Sequence, residues 1–126
     1  MDTMQRIRNA YKMARDYPSL MSMLIDIGVA SYTVDVATST VLYRMPEGEN
    51  VIHISDVVPR EIARSFNKKQ VTQAIKDKRE DKIDYPVFMT ELAKSGVRFY
   101  EATLNGISKK VTYIGPDGHF EERIPL

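Results

Sequence analysis

The chain has 126 residues, of which 43% are hydrophobic and 28% charged, and it carries a formal net charge of +1 with two histidines and no cysteine. That length suits a single domain that buries a core without staples. The near-neutral balance excludes a global electrostatic pull toward nucleic acid, anionic membranes or acidic substrates, and the lack of cysteine excludes disulfides, thiolate metal ligands and thiol nucleophiles. No apolar run approaches the ~20 residues of a membrane span. The opening Met1–Arg8 lacks the apolar centre of a secretory signal. A soluble protein in the reducing cytoplasm is the expectation.

The first expected element is a helix with Met4, Ile7, Tyr11 and Ala14 on one side and Arg8, Lys12 and Arg15 largely elsewhere. A second helix opens at Asp16-Tyr17-Pro18, where Asp caps free amides and Pro is tolerated in the first turn. Leu20, Leu24 and Ile27 follow at helical spacing, and Gly28 ends the helix in a left-handed conformation. Alternation then begins: Tyr32, Val34 and Val36 share one face of a strand, a turn falls at Ala37–Ser39, and Val41, Tyr43 and Met45 mark a second strand. Pro46-Glu47-Gly48 makes the next turn, before a third strand over Asn50–Ile54. The connector 55–66 holds Pro59 and then Ile62 and Phe66 at spacing four, which reads as one short extra helix.

Asn67 caps the next helix, which runs to Glu80 with Val71, Ala74, Ile75 and Lys78 aligned. Asp84-Tyr85-Pro86 opens another, carrying Phe88, Met89 and Leu92 and ending at Gly96. Three strands close the chain: Tyr100, Ala102 and Leu104; then Val111 and Tyr113 after the hairpin signal Asn105-Gly106; then His119–Ile124 after Pro116-Asp117-Gly118.

The two halves read alike. Asp16-Tyr17-Pro18, Met21, Leu24, Gly28-Val29 and Tyr32 match Asp84-Tyr85-Pro86, Met89, Leu92, Gly96-Val97 and Tyr100 at a constant offset. Gln5 and Ile7 match Gln73 and Ile75 in the same frame. Two inserted residues later, Tyr43, Pro46, Gly48 and Ile54 match Tyr113, Pro116, Gly118 and Ile124. The expected fold is α+β: a tandem duplication of a helix-helix-three-strand antiparallel meander. Repeat one covers about 4–54, a connector helix about 55–66, and repeat two about 67–126. A pseudo-twofold axis is expected to relate the repeats, whose sheets share one core with helices packed on one face. One unit alone, of ~50 residues, would be marginal.

The string Asp81-Lys82-Ile83-Asp84-Tyr85-Pro86-Val87-Phe88, followed by Ala93-Lys94-Ser95-Gly96-Val97, resembles a bacterial family, domain of unknown function 1398, also called phage-envelope-protein-like. The resemblance takes in Phe66, Val71, Tyr100, Gly115, Asp117, Gly118 and Ile124-Pro125 as well. Members of that family often carry cysteines after the Tyr-Pro, where this chain has Met89-Thr90-Glu91-Leu92. They often carry Asp-Gly-His in the first hairpin of a repeat, where this chain has Asn105-Gly106-Ile107. The resemblance therefore implies the fold and a bacterial, phage-associated setting, and carries over no thiol or histidine chemistry.

No catalytic, metal or phosphate-binding motif is present in the sequence. Tyr32, Tyr43, Tyr100 and Tyr113 occupy matched positions and are the candidate ligand-facing groups, with half-buried sheet packing as their structural alternative. Arg60, Arg64, Lys68, Lys69 and Lys76 form a basic run that reads as a solvated helix face more readily than as a nucleic-acid surface. His53 and His119 are unmatched and lack acidic partners at ligand spacing, so no metal and no cofactor are expected. His53 should lie on the less buried face of its strand, between Ile52 and Ile54. The leading reading is a non-catalytic interaction or small-ligand module, with no membrane partner and with a homodimer open through an unpaired sheet edge. The rival is an enzyme acting on a small polar substrate through tyrosine, His53 or Glu101. Glu101 is also paired in that reading with Asp35 as outward-facing carboxylates.

Overall fold

The computed structural model describes residues 1–106 and 109–124. Its elements are α1 (Thr3–Met13), α2 (Tyr17–Ile27), β1 (Ser31–Asp35), β2 (Val41–Arg44), β3 (Asn50–His53), α3 (Lys68–Arg79), α4 (Tyr85–Lys94), β4 (Phe99–Thr103), β5 (Lys110–Ile114) and β6 (His119–Arg123). The expected Ile107 and Pro125 features, and the end of the second repeat, lie outside the described residues.

Short-range chemistry sets the helix ends. The carboxylates of Asp2, Asp16 and Asp84 accept from the amides of Gln5, Ser19 and Val87, and Asn67 accepts from Gln70, at 2.8–3.0 Å. Each cap satisfies an amide that has no partner inside its helix. Asp2 and Gln5 form a reciprocal box. Gly28 caps α2 at φ 106°, and Gly96 follows the end of α4 at φ 85°.

The strands form one six-stranded antiparallel sheet in the order β3-β2-β1-β4-β5-β6. The two meanders are therefore joined edge to edge. The two innermost strands pair over Ser31↔Thr103, Tyr32↔Ala102, Thr33↔Glu101, Val34↔Tyr100 and Asp35↔Phe99. Alternation along each strand puts Tyr32, Val34, Val41, Tyr43, Tyr100, Ala102, Val111 and Tyr113 on one buried face. Thr33, Arg44, Glu101 and Thr112 lie on the other, which is hydrated and unburied by helices, as an antiparallel sheet allows. The buried face shares a single core with Ile7, Met21, Leu24, Val71, Phe88, Met89 and Leu92 of the helices. Each such side chain contributes about 1.5–3 kcal/mol on full burial. Helix α1 packs on α2 and α3 on α4, while the two pairs touch each other little.

The expected helix over 55–66 is absent; residues 54–67 contain no helix. The segment instead runs along one end of the sheet and gives its backbone bonds to neighbours. The amide of Arg60 donates to Ala37 O at 2.8 Å, that of Ala63 to Ala93 O at 2.9 Å, and that of Asn67 to Ser95 O at 2.8 Å. These long-range acceptors replace the i−4 carbonyls that a helix would use.

Phe66 ends the connector in a socket built from glycine. A Cβ on Gly115 would stand 2.7 Å from the Phe66 ring and one on Gly118 2.9 Å from it, while one on Gly96 would strike the Ser65 carbonyl. The Asp117 carboxylate accepts from the Phe66 amide at 2.7 Å. A Cβ on Gly28 would meet nothing within 4 Å. The two helix-ending glycines thus serve different needs. Gly28→Ala should cost about 1–2 kcal/mol for its left-handed backbone alone. Gly96→Ala should cost roughly 1–3 kcal/mol more, through displacement of the connector. Urea unfolding of the two variants checks the difference, and equal losses would contradict the socket.

Candidate functional site

All seven tyrosines of the chain gather where the helices meet the sheet. Tyr32 and Tyr43 are register partners on β1 and β2, with ring centroids 5.8 Å apart; Tyr100 and Tyr113 are partners on β4 and β5, at 5.3 Å. Phe120 extends the second pair by stacking on Tyr113 at 6.4 Å, and Phe88 meets Tyr100 edge-on at 6.5 Å. The helices supply the rest. Tyr11 of α1 and Tyr43 join hydroxyls at 2.9 Å, and Tyr85 at the start of α4 approaches the Tyr100 hydroxyl at 3.5 Å. Tyr17, at the start of α2, neighbours Tyr32 and faces Tyr113, while the Tyr32 hydroxyl points at Met21 Sδ at 3.8 Å. Tyr11 is 46% exposed and Tyr85 42%, so the cluster opens to solvent at these rings while the four sheet tyrosines lie beneath at 3–7%.

Burial governs the ionisation of this cluster. It pushes the phenols of Tyr32, Tyr100 and Tyr113 well above the ordinary 10.0, and that of Tyr11 as well, whose hydroxyl end is enclosed against Tyr43 although the residue is part exposed, with neighbouring phenols adding to the effect. Tyr17 and Tyr85 rise less, because hydrogen bonds to Tyr32 and Tyr100 oppose the burial. Burial takes Tyr43 to about 12 against the lowering bond from Tyr11. The site is a set of neutral hydroxyls that donate and accept hydrogen bonds; a buried phenol held so high is a poor base at physiological pH.

The expected carboxylates lie on the other face of the sheet or at its turns. Glu101 is on the hydrated face of the sheet, held by Thr33 Oγ1 at 3.2 Å and near Arg44 at 4.0 Å. Asp35 binds the amide of Ala37 at 2.9 Å, and its register partner is Phe99, so it does not stand opposite Glu101. His53 corrects the sequence reading: it is half-buried and shares the helix-side face with Val51, whereas Ile52 and Ile54 are 57% and 72% exposed. An edge strand leaves apolar side chains in water on its uncovered side, so their hydrophobicity did not report burial. The β5–β6 turn is one residue shorter than the β2–β3 turn, so Glu122 stands in the strand position of His53, one residue out of the frame that matches Ile54 with Ile124. Glu122 pairs with Arg79; burial raises its carboxyl, with Arg79 opposing. Among the described residues, no group of three or more potential ligands could hold a metal ion.

The basic run is dispersed in its tasks. Arg60 donates to Val36 O at 3.1 Å and Ser39 Oγ at 2.8 Å, fastening the connector to a hairpin. Lys68 lies 5.6 Å over the Phe120 ring. Arg64, Lys69 and Lys76 are exposed. Lys76, with Arg79, Phe120 and Glu122, lines a pocket of about 200 Å³ between α3 and β6. A second, of about 490 Å³, lies on the opposite face beside Thr33, Ile62 and Phe99. Neither is lined by tyrosine.

Fold and site together define a two-layer α+β protein with four helices over a six-stranded antiparallel sheet, and a tyrosine-rich seam between its helix pairs. The chain belongs to the family described as "Protein of unknown function (DUF1398)", whose model matches residues 5–120. No curated protein matches it. No helix among the described residues is long and apolar enough to cross a membrane.

The raised phenols set a pH dependence. Unfolded tyrosines ionise near 10.0, whereas the folded ones keep their protons to higher pH. The unfolded chain therefore releases protons first, and stability that is full below pH 10 declines as pH climbs toward the folded values. In an alkaline titration the tyrosinate absorbance should rise together with the loss of circular dichroism. Tyrosinate forming near pH 10 in an intact fold would contradict this.

Proposed function

We propose that the chain is a non-catalytic binding module that takes a small polar molecule in the seam between its helix pairs, over Tyr32, Tyr43, Tyr100 and Tyr113. The observation that carries this reading is the convergence of every tyrosine on that seam, with all phenols held neutral. Neutral hydroxyls on rigid rings suit recognition of hydroxyl, carbonyl or amide groups. Tyr11 and Tyr85, half-exposed, form the entrance. The place of Glu101 on the opposite face of the sheet from the tyrosines favours binding over acid–base chemistry.

The reading includes an origin by tandem duplication, with the halves related by an approximate dyad. The matched motifs, the identical element order of the halves and the mirror-like strand order support it. A cytoplasmic compartment is supported by the cysteine-free sequence, and a bacterial, phage-associated setting by the sequence resemblance alone.

A thermal-shift screen with a panel of small hydroxyl and amide compounds tests the proposal. A stabilising compound should bind the Tyr43→Phe/Tyr113→Phe double variant about tenfold more weakly, the loss of roughly one or two hydrogen bonds. The variant's own melting temperature should stay within about 5 °C of the parent, since both rings remain. Binding unaffected by the double substitution would remove the seam as the site.

A further inference from the structure

The two outer strands of the sheet are opposites in chemistry. Strand β6 carries Glu121 and Arg123 on the hydrated face, at the positions where β3 carries Ile52 and Ile54. Glu121 is tied to Lys110 at 3.2 Å, and on the helix side Glu122 pairs with Arg79 while Lys68 covers Phe120. Charges and a helix thus guard β6 against strand addition. Strand β3, Asn-Val-Ile-His, has no Lys, Arg, Asp or Glu, and its outer side has no strand partner among the described residues. Ile52 and Ile54 are 57% and 72% exposed, and just beyond them Val57 and Val58 are 39% and 87% exposed. A row of free amides and carbonyls beside exposed β-branched side chains is a template for another strand.

We propose that β3 is a homodimer interface, pairing antiparallel with β3 of a second copy about a twofold axis near Ile52. Two such strands meet without any charge on either, so the contact is self-complementary. The pairing satisfies both open edges, sets Ile52 opposite its counterpart and puts each Ile54 diagonally across from the other copy's Ile52. It leaves only the guarded β6 edges outside, so assembly stops at two chains and a twelve-stranded sheet. Exposed Glu49 and Asp56 flank β3 at its two ends. Antiparallel pairing brings each near the other's counterpart, so added salt should tighten the dimer.

Sedimentation equilibrium and cysteine cross-linking test the interface. The parent should run at twice 14.4 kDa, and Ile52→Lys should fall to 14.4 kDa with its circular dichroism intact. Ile54→Lys, just past the strand, gives the same reading if the first variant fails to fold. Because the chain has no cysteine, single variants Ile52→Cys and Ile54→Cys each offer one thiol. Under mild oxidation at least one should form a covalent dimer, whereas Glu121→Cys on β6 should not. A monomeric parent, a dimer that survives both lysine substitutions, or cross-linking only through Glu121→Cys would overturn the proposal.

Discussion

Strands β1 and β4 pair over five residues, and this short ladder makes one molecule of two meanders. Without it each half would present a three-stranded sheet whose innermost edge is unpaired. The pairing also sets the interior. Tyr32 lies opposite Ala102 and Val34 opposite Tyr100, so the two tyrosine pairs stand side by side but displaced along the strands. Small Ala102 leaves room for the bulk of Tyr32, and helices laid over this face must straddle a floor of phenol rings. Helix pairs that hardly touch, and tyrosines reaching from both of them, follow from that arrangement.

The same geometry accounts for the chemistry of the seam. Phenols tolerate burial because the ring is apolar and the hydroxyl needs only one good partner. Here the partners are largely other phenols and one thioether, which keeps the interior uncharged. Charged groups stand on the hydrated face, as Glu101 and Arg44 do, or at the margin of the cluster, where Arg79 and Glu122 pair beside Tyr17 and Tyr113.

Much of this was written locally in the chain. Asp16, Asp84 and Asn67 announced their helices because capping is a contact between near neighbours, and the alternation of Tyr32, Val34 and Val36 announced the buried face. What failed depended on distant partners. Ile62 and Phe66 have helical spacing, yet Ile62 lines a pocket on the hydrated face of the sheet and Phe66 enters the glycine socket. Ile52 and Ile54 looked like core and proved to be edge. Tyr11 was legible only as part of the apolar side of its helix, because it has no matched tyrosine in the second half, where Arg79 follows in the same frame. Its role emerges only once Tyr43 is brought beside it.

Phe66 also makes the two halves unequal. Its ring sits against Gly115 and Gly118, its backbone against Gly96, and its amide is held by Asp117, so the far end of the connector is fastened to the second half, while Arg60 fastens its middle to Val36 and Ser39 of the first. The connector is therefore pinned to both halves, by polar bonds to one and by an aromatic ring in a glycine socket on the other. Fraying that frees one end of the connector should leave the other end seated, so the halves need not come apart in a single step.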